Sequence, residues 1–288
     1  MNGPKREAGR GVNGSGRNDS SGFTSIRTDP GTTGESRAVS ETLGFVLVFA
    51  LVTTTIAVTF TFGLGGLEDA QLAERDTNVE RAFDVMHDNL RDISRDGVPS
   101  RATEIRLAGG TLTLEERTEI RFNGTGWAED GEYVERTRPI VYRGAGDSAV
   151  AYENGAVLVT DGDHGTVLNG PDLLVNDDGI IVSVIRIGGV SRSIAGDRTV
   201  LVVGSNADRE VVDRPRDTEE VTMEIDSPRA SVWERHYEEL AAEHSQIRLD
   251  DGDTPECEGD GDVTVCFEPG SDAEFLIHQT TIRIEFTD

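Results

Sequence analysis

The chain has 288 residues and a formal net charge of −27. It contains a single lysine, Lys5. Such an acid excess repels phosphate and argues against a nucleic-acid partner. Acidity with so little lysine resembles proteins of extreme halophiles, in which high salt screens the repulsion between carboxylates. We therefore interpret the acidic residues as a solvated surface.

The N-terminal segment, residues 1–38, is rich in Gly, Ser, Asn and Arg and has almost no large apolar side chains. Its basic residues outnumber its acidic ones, in contrast to the rest of the chain. A segment of this composition cannot bury a core. We predict a disordered basic leader.

An apolar segment follows, and no charged side chain occurs between Thr42 and Leu67. The twenty residues from Leu43 to Phe62 would form a helix about 30 Å long, which is the thickness of the hydrocarbon layer of a bilayer. A buried core helix is the alternative, but such helices are seldom apolar on every face. The sequence predicts a transmembrane helix over residues 39–66, with the lipid bilayer as its partner.

The charges beside this helix predict its orientation. Arg27 and Arg37 precede it, whereas Glu68, Asp69 and Glu74 follow it. Basic residues accumulate on the cytoplasmic side of membrane proteins. We expect a single-pass protein of the cell membrane with a cytoplasmic N-terminus and an extracellular C-terminal domain.

Residues 67–97 continue with a helical pattern that ends near Gly97. Apolar residues fall on one face, which predicts an amphipathic extension of the stem helix. That face would pack against the chain's own domain or against a neighbouring copy. His87 is predicted to lie on the polar side. The apolar positions are Leu72, Val79, Phe83, Met86, Leu90 and Ile93.

Residues 98–288 show short runs of alternating apolar and polar residues separated by glycine-rich turns. We predict a hairpin around residues 108–110 and a type I′ turn at Asn154-Gly155. Ser227 and Pro228 are predicted to start a helix that ends near His244. The predicted class is α+β: a long N-terminal transmembrane stem helix followed by an antiparallel β-rich extracellular domain with one further helix.

The two cysteines are Cys257 and Cys266. A two-residue turn at Gly261-Asp262 would place them opposite each other in a hairpin, within disulfide range. A disulfide is typical of an oxidising exterior, which agrees with the predicted orientation. Two free thiols are the alternative.

The sequence contains no recognisable catalytic motif, and we predict no enzymatic activity, no catalytic residues and no cofactor. Aspartate-rich loops could hold calcium, but none has EF-hand spacing, so solvated turns are preferred and no metal site is predicted. Asn123 begins an Asn-Gly-Thr sequon and is a candidate for glycosylation.

Residues Arg37-Ala38-Val39-Ser40-Glu41-Thr42-Leu43-Gly44 resemble the N-terminus of archaeal type IV pilins and archaellins, especially haloarchaeal pilin-like proteins. The resemblance implies cleavage between Ala38 and Val39 by a prepilin peptidase, so that the leader is a prepilin peptide. It also implies that other pilin-like subunits are partners. The closely similar part covers about residues 37–66.

Cleavage would create a charged amine at Val39, two residues before Glu41. Unpaired charges are costly in a low-dielectric bundle of helices, so the amine of one subunit could pair with Glu41 of another. The leading interpretation is a membrane-anchored, surface-exposed type IV pilin-like structural subunit, including a minor or initiating one. The alternative is a single-pass anchored binding, adhesion or sensor domain that does not polymerise.

Overall fold

The computed structural model describes residues 34–287 except 117, 125–131, 145, 163, 214–219, 251–256, 258 and 271–272, and it defines only the backbone at 34–39, 64–69 and 212–213. Most of the predicted leader lies outside the described residues. The chain divides into two units, Met1–Gly63 and Leu64–Asp288.

The described residues form two α-helices, one π-helical turn and sixteen strands. Helix α1 is Gly34–Arg91, the π-helical turn is Asp92–Asp96, and helix α2 is Ala230–Glu243. The strands are β1 Ser100–Arg106, β2 Thr111–Leu114, β3 Thr118–Gly124, β4 Glu132–Thr137, β5 Ile140–Arg143, β6 Ser148–Glu153, β7 Ala156–Asp161, β8 His164–Asn169, β9 Leu173–Asn176, β10 Gly179–Gly188, β11 Ser193–Ala195, β12 Thr199–Asp213, β13 Val221–Asp226, β14 Ile247–Leu249, β15 Val263–Phe267 and β16 Glu274–Thr287.

The strands form three sheets. Sheet I has the order β1-β12-β16-β10-β9, sheet II the order β11-β2-β5-β6-β7-β8, and sheet III the order β14-β15-β13-β3-β4. Neighbouring strands are antiparallel except β10 and β16, which run parallel. The predicted α+β class with mostly antiparallel sheets is confirmed.

Sheet II is buried on both faces at its centre. Tyr142 and Tyr152 belong to a core shared with sheet I and α1, whereas Val141 and Ala151, one residue away, belong to a core shared with sheet III and α2. Successive side chains of a strand point to opposite faces, so only a sheet between two cores buries all of them. This explains why β5 and β6 contain apolar runs instead of strict alternation.

The C-terminal part of α1 packs into the first core through the predicted apolar face. Val79, Phe83, Met86, Leu90 and Ile93 are each at most 2% exposed. The helix ends in the π-helical turn, and Gly97 follows in a left-handed conformation with φ of 72°. Of the two predicted alternatives, packing against the chain's own domain is therefore observed for these five residues, whereas Leu72 is half-buried.

The two predicted turns have different outcomes. Asn154 and Gly155 join β6 to β7 as a two-residue turn with positive φ at both positions, as predicted. The prediction of a hairpin around residues 108–110 is wrong, because β1 and β2 do not pair with each other. Strand β1 pairs with β12, whereas β2 pairs with β11 and β5. The loop instead carries the chain from β1 in sheet I to β2 in sheet II. The Tyr142 hydroxyl donates to the Leu107 carbonyl at the start of this loop, at 2.8 Å.

Helix α2 begins at Ala230 and not at Pro228. The Ser227 hydroxyl accepts a hydrogen bond from the Arg229 amide at 3.1 Å, two residues ahead, and thus forms a turn before the helix. Trp233 and Tyr237 lie four residues apart, and thus on one face of the helix, and both are buried in the second core.

Candidate functional site

The N-terminal unit contains one helical segment that is long and apolar enough to cross a membrane. It extends over Ser40–Gly63, 24 residues, and none of it is buried in the structure. At 1.5 Å per residue it measures about 36 Å, more than the hydrocarbon thickness of a bilayer. Its exposed large apolar residues are Leu43, Phe45, Val46, Leu47, Val48, Phe49, Leu51, Val52, Ile56, Val58, Phe60 and Phe62.

Three threonines in this segment satisfy their hydroxyl groups within the helix. The hydroxyls of Thr53, Thr55 and Thr61 donate to the carbonyls four residues earlier at 2.7, 2.7 and 2.8 Å. An unsatisfied hydroxyl is costly in an apolar environment. These bonds make the threonines compatible with a lipid-facing helix.

The residues of the predicted processing site lie close to the start of α1. The backbone of Arg37, Ala38 and Val39 is helical, and the positions of their side chains lie outside the described part of the chain. The Glu41 side chain is exposed. Cleavage after Ala38 and the pairing of Glu41 therefore stay predictions.

Cys257 and Cys266 are joined as predicted, with Sγ atoms 2.12 Å apart and Cα atoms 5.8 Å apart. The predicted hairpin around them is wrong, because β15, which contains Cys266, pairs with β13 on one side and β14 on the other. Both of its edges are therefore occupied. The bond ties Cys257 to an interior strand of sheet III, and a loop of this size is stabilised by about 2–3 kcal/mol in the chain-entropy model.

A buried charge cluster fixes α2 to sheet II, and sequence reasoning missed it. Arg229 Nε donates to Glu153 Oε2 at 2.6 Å, and Trp233 Nε1 donates to Glu153 Oε1 at 3.4 Å. Arg229 Nη1 also donates to Glu115 at 3.2 Å, and Glu115 contacts Arg143 at 2.5 Å. Glu153 is 1% exposed and Arg229 is 7% exposed.

Two carboxylates face the buried Arg229 guanidinium and stabilise its positive charge. Burial alone would lower the pKa of Arg229, but the adjacent carboxylates of Glu153 and Glu115 together raise it above the usual arginine value. The signal that the sequence offers is Trp233 itself, because a tryptophan on the apolar face of a helix becomes buried and its indole N–H then needs an acceptor. The residues Glu153 and Arg229 are 76 positions apart, so their pairing could not be read from spacing.

His87 corrects another expectation. It was predicted on the polar side of α1, yet it is 8% exposed and its ring centroid lies 6.3 Å from that of Tyr152. The helix packs against sheet II as well as sheet I, so its buried face is wider than the apolar stripe.

His236 lies half-buried on α2, with its ring edge-on to Trp233 and Tyr237. Burial lowers its pKa, and Glu239 opposes this only in part. The pKa of His278 is lowered as well, by burial and by Arg209.

Because the pKa of His236 is lowered by folding, the unfolded chain binds more protons than the folded one below the unfolded histidine value of about 6.5. We expect the free energy of unfolding to be maintained above that pH and to fall as the pH decreases below it. His236→Gln should reduce the slope of the free energy of unfolding against pH. Part of the slope should remain in this variant, because the pKa of His278 is also lowered by folding. Urea unfolding of the full chain at pH 5, 6 and 7 measures it, and equal slopes in variant and parent would contradict the expectation.

Asn123, the candidate for glycosylation, lies in β3 near its end. Its Nδ2 donates to Glu224 Oε1 at 3.2 Å, and Glu224 also contacts Arg121. A glycan on Asn123 would have to replace this hydrogen bond, and Thr125 of the sequon lies outside the described residues. Modification stays a prediction.

Comparison with known proteins gives a family without an assigned function. A curated relative, an uncharacterized protein of Archaeoglobus fulgidus, is 36% identical over 81 residues, which are 28% of this chain and 27% of the relative. The match thus spans about a quarter of the length of that relative. No solved structure matches the chain at a significant level. A family model described as "Family of unknown function (DUF7289)" matches residues 37–283, and the chain belongs to that family.

Proposed function

We propose that the protein is a membrane-anchored, surface-exposed, type IV pilin-like structural subunit. The observation that carries the proposal is the fully exposed apolar segment Ser40–Gly63, which follows directly after Arg37-Ala38-Val39 and precedes a folded β-rich domain. A helix with this much exposed apolar surface needs lipid or other apolar helices around it. The apolar helix of a filament subunit is surrounded by lipid before assembly and by the helices of other subunits in the assembled stem.

The start of the family match supports a processed leader. The match begins at Arg37, two residues before the proposed new N-terminus at Val39. The residues before Arg37 lie outside the match. This agrees with a leader that is removed from the mature subunit.

The proposed orientation places the folded domain outside the cell. Arg27 and Arg37 lie on the leader side of the apolar segment, whereas Glu68 and Asp69 follow it. The disulfide between Cys257 and Cys266 suits an oxidising exterior. The acidic surface suits a salt-rich medium, as in halophilic archaea.

In the assembled stem, Glu41 would accept the new amine of Val39 from a neighbouring subunit. Both groups would lie at the end of an apolar bundle, where each unpaired charge is destabilising. The prepilin peptidase and other pilin-like subunits are the partners that this proposal requires.

The decisive experiment determines the N-terminus of the protein isolated from membranes and from shed surface filaments. We expect a mature chain that begins at Val39. Ala38→Trp should retain the leader because a bulky residue replaces the small one before the cut, and Ala8→Trp, within the leader, serves as the matched control. Intact mass measurement distinguishes the forms.

An intact leader on the unsubstituted chain in the membrane fraction would contradict the proposal. That result would favour the alternative, an anchored binding, adhesion or sensor domain that does not polymerise. A processed chain that is absent from purified filaments would limit the role to a minor or initiating subunit.

A further inference from the structure

One edge of sheet I is left open within the folded domain. Strand β10 pairs with β16 only as far as Gly188 opposite Arg283, whereas β16 continues to Thr287. Beyond that point, the pairing of β16 in the described structure is with β12 alone. Residues 284–287 therefore present one strand edge that has no neighbouring strand among the described residues.

The chain leaves this edge at Gly189. A Cβ atom at Gly189 would lie 2.8 Å from the Ile284 carbonyl oxygen and 3.0 Å from Leu114 Cδ2, so the close approach requires glycine. After Gly189 the chain crosses to sheet II, where Arg192 O accepts from the Leu114 amide at 2.9 Å. The crossing forms the far wall of a cleft beside the open edge.

This cleft, which we call the edge pocket, has a volume of about 490 Å³ and lies between residues 283–287 and Leu114, Gly189, Val190 and Arg192. Its size is within the range of ligand sites. Val190 is 86% exposed, the highest value among the large apolar residues of the described structure. Ile284 and Phe286 are nearly buried and supply an apolar floor.

Two guanidinium groups flank the edge pocket. Arg192 Nη1 donates to the Phe286 carbonyl at 2.7 Å, so a side chain serves as donor where the next strand is missing. Arg283 is exposed and has no ion pair within the described ranges. Among the described residues that line the pocket, Glu285 is the one carboxylate, so these lining residues carry a net positive charge on a chain whose net charge is −27.

We propose that the edge pocket binds an extended peptide segment in which apolar and acidic side chains alternate, and that the segment adds to β16 as a further strand. Backbone hydrogen bonds to an open edge give affinity, and pockets for alternate side chains give specificity. One face of the added strand would meet Val190 and Phe286, and the other face would place a carboxylate beside Arg283. The peptide backbone would replace the Arg192 side chain as the donor to the Phe286 carbonyl.

The proposal does not depend on polymerisation, and its test is independent of leader cleavage. The full chain in lipid nanodiscs is titrated into a fluorescein-labelled peptide of sequence Thr-Val-Glu-Val-Glu, and binding is followed by anisotropy. We expect saturable binding that is about tenfold weaker, or 1.4 kcal/mol, in Arg283→Glu and in Val190→Asp. Arg106→Glu is the matched control, because Arg106 lies on the same sheet in an exposed pair with Asp197.

Two further peptides test the mode of binding. A Thr-Val-Lys-Val-Lys peptide should bind about tenfold more weakly, since its charges oppose Arg283. A peptide N-methylated at alternate amides should lose binding if strand addition holds. The short apolar acid 4-phenylbutyrate should compete poorly because it lacks a backbone.

The proposal is overturned if the acidic peptide shows no saturable binding, or if Arg283→Glu and Val190→Asp bind it like the parent. Equal binding of the N-methylated peptide, or full competition by 4-phenylbutyrate, would overturn strand addition. Far-ultraviolet circular dichroism verifies that both variants are folded, which is expected because both side chains are exposed.

Discussion

Replacing both Leu51 and Val52 with arginine is expected to release the chain from membranes. These residues lie at the middle of the segment Ser40–Gly63. The twelve large apolar residues between Leu43 and Phe62 together favour insertion by about 4–7 kcal/mol, and each central arginine opposes it by about 2.5–3.5 kcal/mol. Two arginines thus offset most or all of the driving force.

Flotation of carbonate-washed membranes measures the effect. Val85→Arg is the matched control, since Val85 is 53% exposed on the folded domain and its replacement adds the same kind of charge outside the segment. The control should float with the parent, whereas the double variant should appear in the soluble or aggregated fraction. A double variant that floats like the parent would refute the anchor.

Replacing Arg229 with methionine is expected to destabilise the folded domain by about 3–5 kcal/mol. The change leaves the Glu153 carboxylate, 1% exposed, with only the Trp233 indole as a side-chain donor among its described contacts. The Glu115 carboxylate would still have a cationic partner in this variant, because it keeps its contact with Arg143. The free energy of unfolding in denaturant, followed by tryptophan emission and by far-ultraviolet circular dichroism, measures the loss.

A second substitution separates the unpaired charge from the lost packing. Arg229→Met combined with Glu153→Leu removes both charges and should recover a large part of the stability, since buried pairs often exchange for apolar residues at small net cost. Arg106→Met, which removes an exposed pair, should change stability by less than about 1 kcal/mol. If Arg229→Met resembles Arg106→Met, the cluster does not hold α2 in place.

Local patterns predicted the elements that depend on neighbouring residues. The apolar segment, the buried face from Val79 to Ile93 and the turn at Asn154-Gly155 all follow from composition or spacing within a few residues. Each is determined by a short-range rule: helix length, helix period or the φ values of a turn.

Pairings between distant residues were not predictable in this way. The loop at residues 108–110 has the glycines of a hairpin, yet its flanking strands enter different sheets because each finds a distant partner. The disulfide between the cysteines was predicted correctly, but the hairpin from which it was predicted does not form. Strand β15 already pairs with β13 on one side and β14 on the other. Spacing allowed the bond but did not determine the strand order.

The sequence by itself determined an apolar helix near the N-terminus, an acidic surface and an α+β domain, because charge and hydrophobic period act locally. Only the tertiary structure decided that sheet II lies between two cores, that Arg229 meets Glu153, and that β16 extends past β10 to leave an open edge. The physical reason is that burial and pairing depend on which distant surfaces come together and exclude water. The local pattern of residues along the chain does not specify those surfaces.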